Sequence, residues 1–242
     1  MHCADHDPGW SCREHGGLSR CGLDLAGIAL QTGSTVHTQD VPSPIDWSQA
    51  DEVRSWVDET ARQRPYRAVF FAAFAQQINE HCLPEAVVLE LGSGPGLLAE
   101  AILNACSVAS YSLLDFSAPM HALAQARLGV HRRKTHFLQR DFRAPDWGAG
   151  LGPFDAIVTL QAAHEVRHKR YVPRLLESTL DLLLPGGCLL FADHCFDGAA
   201  FGNADLYMTR DEQREALIDA GFGTVECVLD HQGMALFRAE RQ

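Results

Sequence analysis

The sequence has 242 residues, 46% of them apolar, and a formal net charge of −11 at pH 7. That length carries one sizeable hydrophobic core, and an acidic chain without a basic stripe argues against a nucleic-acid partner. There is no apolar run of about 18 residues, as a membrane-spanning helix requires, and no charged-then-apolar leader, so a cytoplasmic protein without a membrane partner is expected.

Residues 1–35 show no sustained period. They hold Cys3, Cys12, Cys21, His2, His6 and His15, at spacings that match no zinc finger. A disordered tail and an extension ahead of a start at Val36 both remain open. Cys82, Cys106, Cys188, Cys195 and Cys227 lie in apolar segments and read as small buried hydrophobes in a reducing compartment, not as a disulfide framework.

From Ser48 the spacing of Val53, Trp56 and Val57 predicts an amphipathic helix, interrupted at Pro65. A second, phenylalanine-rich helical run follows to Cys82. Residues 45–80 are therefore expected as a helical lid, with Trp47, Trp56, Tyr66 and Phe70 as candidate walls of a substrate pocket. After Pro84 the period changes. Strands are expected at 86–91, 110–115, 135–140, 154–160, 188–194, 223–230 and 233–240. Helices are expected at 96–106, 118–128, 164–183 and 211–221. Pro173 stands inside the third of these, at a kink or at a true helix start. "LLPGG" reads as a tight turn before the fifth strand. Residues 85–242 thus form one α/β domain, a Rossmann-like seven-stranded, mostly parallel sheet with helices on both faces and a terminal antiparallel hairpin strand. Ligands of such sheets bind beyond the carboxyl ends of the strands.

The stretch "VVLELGSGPGLLAE" places Gly92, Gly94 and Gly96 behind a strand. No Lys-Ser/Thr follows, which excludes an ATP-type phosphate loop, and the spacing is not G-x-G-x-x-G. Pro95 removes one of the N–H donors that would hold a pyrophosphate. Glu90 ends the strand, where a carboxylate repels phosphate and attracts an ammonium. Asp115 ends the next strand, in position to accept from ribose hydroxyls. Asp141 follows the third, in position to accept from an adenine amino group. S-Adenosylmethionine has an amino-acid end, a ribose and an adenine, and no phosphate.

With "VLELGSGPG", "LLDFS", "RDF", "FDAIVTLQAAHEV" and "LLLPGGCLLFAD", the chain resembles the class I S-adenosylmethionine-dependent methyltransferases. The resemblance implies that Glu90, Gly92, Gly94 and Gly96 line the methionine end, Asp115 the ribose and Asp141 the adenine. Phe116 and Phe142 belong to the same cofactor set, and Gln161 to His164 would lie near the transferring methyl.

Methyl transfer is an in-line displacement that needs alignment and, for a protonated acceptor, a base. His164 is the candidate base. Glu165, next to it, would point elsewhere on a helix. His168 lies one helical turn on, and His194, at the end of the fifth strand, faces the cleft by position. Tyr207 and Phe201 follow that strand as further substrate walls. No Asp/Asn cluster surrounds "TLQAAHEV", so no catalytic metal is expected. The absence of an "NPPY"-like tetrad also argues against a nucleic-acid substrate. The expected activity is transfer of a methyl group to oxygen or nitrogen of a small organic molecule, by a monomer or homodimer. A non-catalytic cofactor-binding domain or partner subunit is the alternative.

Overall fold

The computed structural model describes residues 39–198 and 201–242. Both readings of residues 1–35 therefore lie outside the described residues. Helices α1 (Ala50–Gln63) and α2 (Arg67–His81) flank the Pro65 break. Phe70, Phe74 and Ile78 recur every four residues and so share one face of α2, which is buried in the core. Burial of each such side chain contributes about 1.5–3 kcal/mol.

Strand β1 (Ala86–Leu91) leads through the glycine loop into α3 (Leu97–Ala105), followed by β2 (Val108–Asp115), α4 (Ala118–Arg127) and β3 (Thr135–Gln139). Then come β4 (Phe154–Leu160), α5 (Val172–Leu182), β5 (Leu183–His194), α6 (Arg210–Asp219), β6 (Val225–His231) and β7 (Met234–Glu240). The seven strands are ordered β3-β2-β1-β4-β5-β7-β6. β1 to β5 pair in parallel, and β7 runs antiparallel to both of its neighbours. The expected fold class is the one observed.

Side chains alternate between the two faces of the sheet. Val88 and Leu190 meet α2, α3 and α4 on one face, while Leu89 and Leu189 meet α5 and α6 on the other. The chain leaves β1 for β2 and β3, then returns to β4 on the other side of β1. The carboxyl ends of β1 and β4 thus bound a crevice at the point where the strand order reverses.

Two expectations are corrected. The run 164–183 is not one long helix. Two 3-10 turns, Ala163–Val166 and Lys169–Tyr171, precede α5, and Arg167 between them is left-handed at φ 67. Pro173 stands in the first turn of α5, where its missing N–H costs nothing. "LLPGG" is not a turn ahead of the fifth strand but part of it. Leu183 pairs with Phe154 and Cys188 with Ala156, and the irregularity between those pairs absorbs both glycines. Among the described residues no helix is long and apolar enough to cross a membrane.

Candidate functional site

The loop after β1 is held from β2. Gly92 and Ser93 N–H donate to the Leu114 carbonyl at 2.8 and 3.1 Å, and Gly94 N–H donates to Asp115 Oδ2 at 2.8 Å. Gly92 has φ +65, and a Cβ there would lie 2.3 Å from Ala162 Cβ. Only glycine lets the loop from β1 and the loop from β4 touch.

Above these loops lies a cavity of about 220 Å³. The candidates Glu90, Gly92, Gly94, Asp115, Phe116, Phe142, Gln161, His164, His194 and Tyr207 line it together with Trp47 and Trp56. The two indoles meet edge to face at 5.1 Å. Glu90 is buried and accepts a hydrogen bond from Tyr111 Oη at 2.9 Å. Burial, only partly offset by that bond, pushes its pKa up to about 8. Asp115 also accepts from Ser117 N–H at 2.8 Å. Burial raises its pKa above the ordinary value against the pull of those backbone donors.

The opposite wall of the cavity is built where β4 and β5 finish. His164 Nδ1 lies 2.7 Å from Asp193 Oδ1. The same carboxylate accepts from the backbone N–H of His164 at 2.8 Å and of His194 at 2.7 Å. Burial disfavours the His164 imidazolium, but the adjacent Asp193 carboxylate outweighs it and raises the pKa above the ordinary histidine range. Asp193 resists its own burial for the same reason and is held below the ordinary carboxylate range. Glu165 also lines the cavity, its Oε1 3.5 Å from His164 Nε2. It was expected to point elsewhere; the residue lies on a tight 3-10 turn instead of an α-helix. Burial pushes His194 down to about 3, so its ring is neutral. His194 stacks on Phe201 at 3.9 Å between centroids, with Tyr207 edge-on at 5.8 Å.

Several expected residues lie elsewhere. Asp141 does not line the cavity. Arg143 holds it in a two-pronged pair, Nε to Oδ1 at 2.9 Å and Nη2 to Oδ2 at 2.6 Å, which overcomes partial burial and keeps its pKa low. Gly96 is the left-handed N-cap of α3, packed against Ala124. Phe70 is sealed in the core, and Tyr66 packs on His231 at 6.5 Å between ring centroids. His168 shares no helical face with His164. It is buried, and its Nδ1 accepts from Arg170 N–H at 3.1 Å. Among the described residues no group of three His, Cys, Asp or Glu side chains is placed to hold a metal ion.

Three groups at this site were not anticipated. Asp193 was detectable, since an acid at the carboxyl end of β5 follows the rule that singles out Asp115. Arg64 and Arg67 line the cavity from the α1–α2 junction, and nothing in "RQRPYR" announces that they turn inward.

Residues 89–189 match the model of a methyltransferase domain family. No curated protein matches the chain. Among solved structures, PigF with SAH aligns at 17% identity and a TM-score of 0.64, covering 81% of this chain and 61% of that one. An S-adenosylmethionine-dependent methyltransferase from Clostridium acetobutylicum aligns at 11% identity and 0.64, covering 78% and 98%. Human N-acetylserotonin methyltransferase with SAM aligns at 15% identity and 0.61, covering 81% and 57%. The chain spans about half to two thirds of the length of PigF, the human enzyme and other longer structures it matches. Residues 89–189 thus carry a methyltransferase-domain match, on the fold that S-adenosylmethionine-dependent methyltransferases share.

Proposed function

We propose that this protein is an enzyme that moves a methyl group from S-adenosylmethionine to an oxygen or nitrogen of a small organic molecule, with His164 as base. The observation that carries the reading is His164 in the wall of the cavity formed over the glycine loop, held from behind by the buried Asp193. When bound, S-adenosylmethionine supplies an electrophilic methyl on a sulfonium sulfur whose leaving group is a neutral thioether. The residues present fit that molecule. Glu90 is available to its ammonium group. Asp115 spends part of its acceptor capacity on Gly94 and Ser117 and keeps lone pairs for ribose hydroxyls. Phe116 and Phe142 offer apolar faces for a purine. Asp141, clamped outside the cavity, is not assigned to the adenine.

Asp193 accepts the Nδ1–H of His164, which leaves the lone pair on Nε2 to take a proton from the acceptor. Two backbone N–H groups fix the carboxylate, so the imidazole is oriented before substrate arrives. Glu165, beside Nε2, stabilises the imidazolium that forms.

Calorimetric titration with S-adenosylmethionine and S-adenosylhomocysteine, with NAD as control, tests the cofactor. Micromolar binding of the first two and none of NAD is expected. No binding of either overturns the reading, and cofactor binding without turnover on any acceptor favours a non-catalytic binding domain.

A further inference from the structure

Tyr207 lines the cavity next to His164, their ring centroids 5.4 Å apart. Its ring is packed edge-on from two sides, against Phe201 at 5.4 Å and His194 at 5.8 Å. Its backbone N–H donates to the Asn203 carbonyl at 2.9 Å. The ring is thus held, but its hydroxyl is unused. Among the described residues Tyr207 Oη has no hydrogen-bond partner. Burial and the Asp193 carboxylate raise its pKa above the ordinary tyrosine value, against the pull of Arg64 and Arg167. It is therefore a protonated donor at neutral pH. Arg64, Arg167 and Glu165, three of the charges that act on it, line the same cavity, which places the hydroxyl end of the ring on the cavity side.

The other polar groups of this wall are engaged or sealed. His194 Nε2 lies 3.1 Å from Gln161 Nε2 and 3.4 Å from Arg64 Nη1. Asp193 is taken up by His164 and two backbone N–H groups. Glu165 pairs with Arg167 at 3.3 Å and stays 3.5 Å from His164 Nε2, longer than a formed N–H···O bond. Gln161 Oε1 and His194 Nδ1 lack partners but are buried inside the protein. An incoming molecule therefore meets one free acceptor, His164 Nε2, and one free donor, Tyr207 Oη.

That pair discriminates between nucleophiles. An amine nitrogen has one lone pair, which it spends on the methyl carbon, so it has none left for Tyr207. A carboxylate has no proton for His164. A hydroxyl oxygen gives its proton to His164, attacks with one lone pair and accepts from Tyr207 with the other. We propose that Tyr207 is a catalytic residue that hydrogen-bonds the nucleophile, and that the nucleophile is a hydroxyl group of the acceptor. The inference rests on the methyl-transfer reading and narrows it from oxygen or nitrogen to a hydroxyl oxygen. That oxygen bonds to the methyl carbon as the carbon–sulfur bond breaks, its electron pair going to sulfur and the hydroxyl proton to His164 Nε2. Negative charge builds on the oxygen as the proton leaves, and the bond from Tyr207 strengthens with it. Its contribution therefore falls on kcat more than on KM.

The test measures methyl transfer from radiolabelled S-adenosylmethionine by the full chain to matched pairs, phenol with aniline and 5-indanol with 5-aminoindane, with benzoate as the carboxylate. The hydroxyl member of each pair is expected to react at least about tenfold faster than the amine, and benzoate not at all. Y207F is expected to lower kcat for the hydroxyl compounds about 10–100-fold, with KM changed less than about threefold. The rise of kcat with pH is expected to stay where it is in the wild type, since Asp193 and not Tyr207 raises the His164 pKa. S-Adenosylhomocysteine affinity, by calorimetry, is expected to stay within about twofold of wild type in Y207F, which reports an intact fold. The wild-type preference stands as a test even where Y207F does not fold. An amine or benzoate that reacts faster than the hydroxyl compounds, unchanged turnover of those compounds in Y207F, or a loss that falls on KM alone overturns the proposal. So does a wild type that binds S-adenosylhomocysteine and transfers to no compound of the set. Failure of the wild type to bind S-adenosylhomocysteine defeats the methyl-transfer reading instead.

Discussion

In the proposed mechanism Asp193 makes His164 a base of defined tautomer, so the pair is best tested by a change that keeps its shape. D193N preserves the size of the side chain but removes the charge that raises the histidine pKa. Turnover is expected to fall by about 10²–10⁴-fold. A base works unprotonated, so activity rises with pH through the His164 pKa, and in D193N that rise moves to lower pH. An unmoved rise in the kcat profile assigns it to another group. Asp115→Ala is expected to weaken S-adenosylmethionine binding by about 2–3 kcal/mol through lost charge-assisted hydrogen bonds, and unchanged affinity by calorimetry removes Asp115 from the ribose. Glu90 carries a stability signature. Its folded pKa of about 8 lies above the ordinary 4.5. The unfolded chain therefore releases that proton first, and folding stability declines as pH rises from 4.5 to about 8. E90Q, still able to accept from Tyr111, is expected to lack that decline and to gain on the order of 4 kcal/mol over wild type above pH 8. Denaturant melts at pH 5 and 9 measure it; a constant difference between the two proteins means Glu90 does not titrate there. Glu90 and Asp115 were legible because each ends a strand beside the glycine loop. The position of Asp141 outside the cavity was not legible, because its Arg143 clamp, two residues away, depends on a local turn that no motif records.

The strands were legible as elements because their apolar runs are short and bounded by turn residues, and the structure keeps those bounds to within two residues except at the start of β5, which lies five residues earlier. The region after β4 was not. Its apolar residues continue at helical spacing from Val166 to Leu182, but Arg167 adopts a left-handed backbone that spacing does not reveal. That break moves Glu165 into the cavity and His168 out of reach of His164. The β1 and β4 loops instead depend on a contact visible only in three dimensions, Gly92 against Ala162. G92A adds a methyl group at a positive φ and at 2.3 Å from Ala162 Cβ, so a loss of about 1–3 kcal/mol is expected. In an A162G background the same change is expected to cost less, since the clash is gone and only the backbone strain remains. Equal costs in the two backgrounds, measured by denaturant melts, mean the loops are not held by this contact.

At the scale of the molecule, alternating strands and helices implied the sheet, and the sheet placed the crevice. What closes the crevice was hidden, because it is a peptide segment gripped through its carbonyls. Arg167 Nε donates to the Val41 carbonyl at 2.8 Å and Nη2 to the Pro42 carbonyl at 2.6 Å, while Val41 N–H returns a bond to the Arg167 carbonyl at 2.8 Å. Asp40 accepts from Arg170 and Tyr171, and Ser117 Oγ donates to the Trp47 carbonyl at 2.6 Å. These bonds lay residues 40–47 across the cavity, which Pro44, Ile45 and Trp47 then line. Arg167 thus joins the turn that carries His164 to the segment that roofs the site. R167A removes three side-chain hydrogen bonds, counting the one to Glu165, but leaves His164 and Asp193 in place. Faster amide exchange across residues 41–47 and a higher KM for the acceptor are expected, with kcat falling far less than in D193N. R167K, which keeps the charge but not the fork, is expected to fall between. Unchanged exchange in R167A means that the Asp40 and Ser117 contacts hold the segment alone. A collapse of kcat at constant KM places Arg167 in the chemistry and not in the roof.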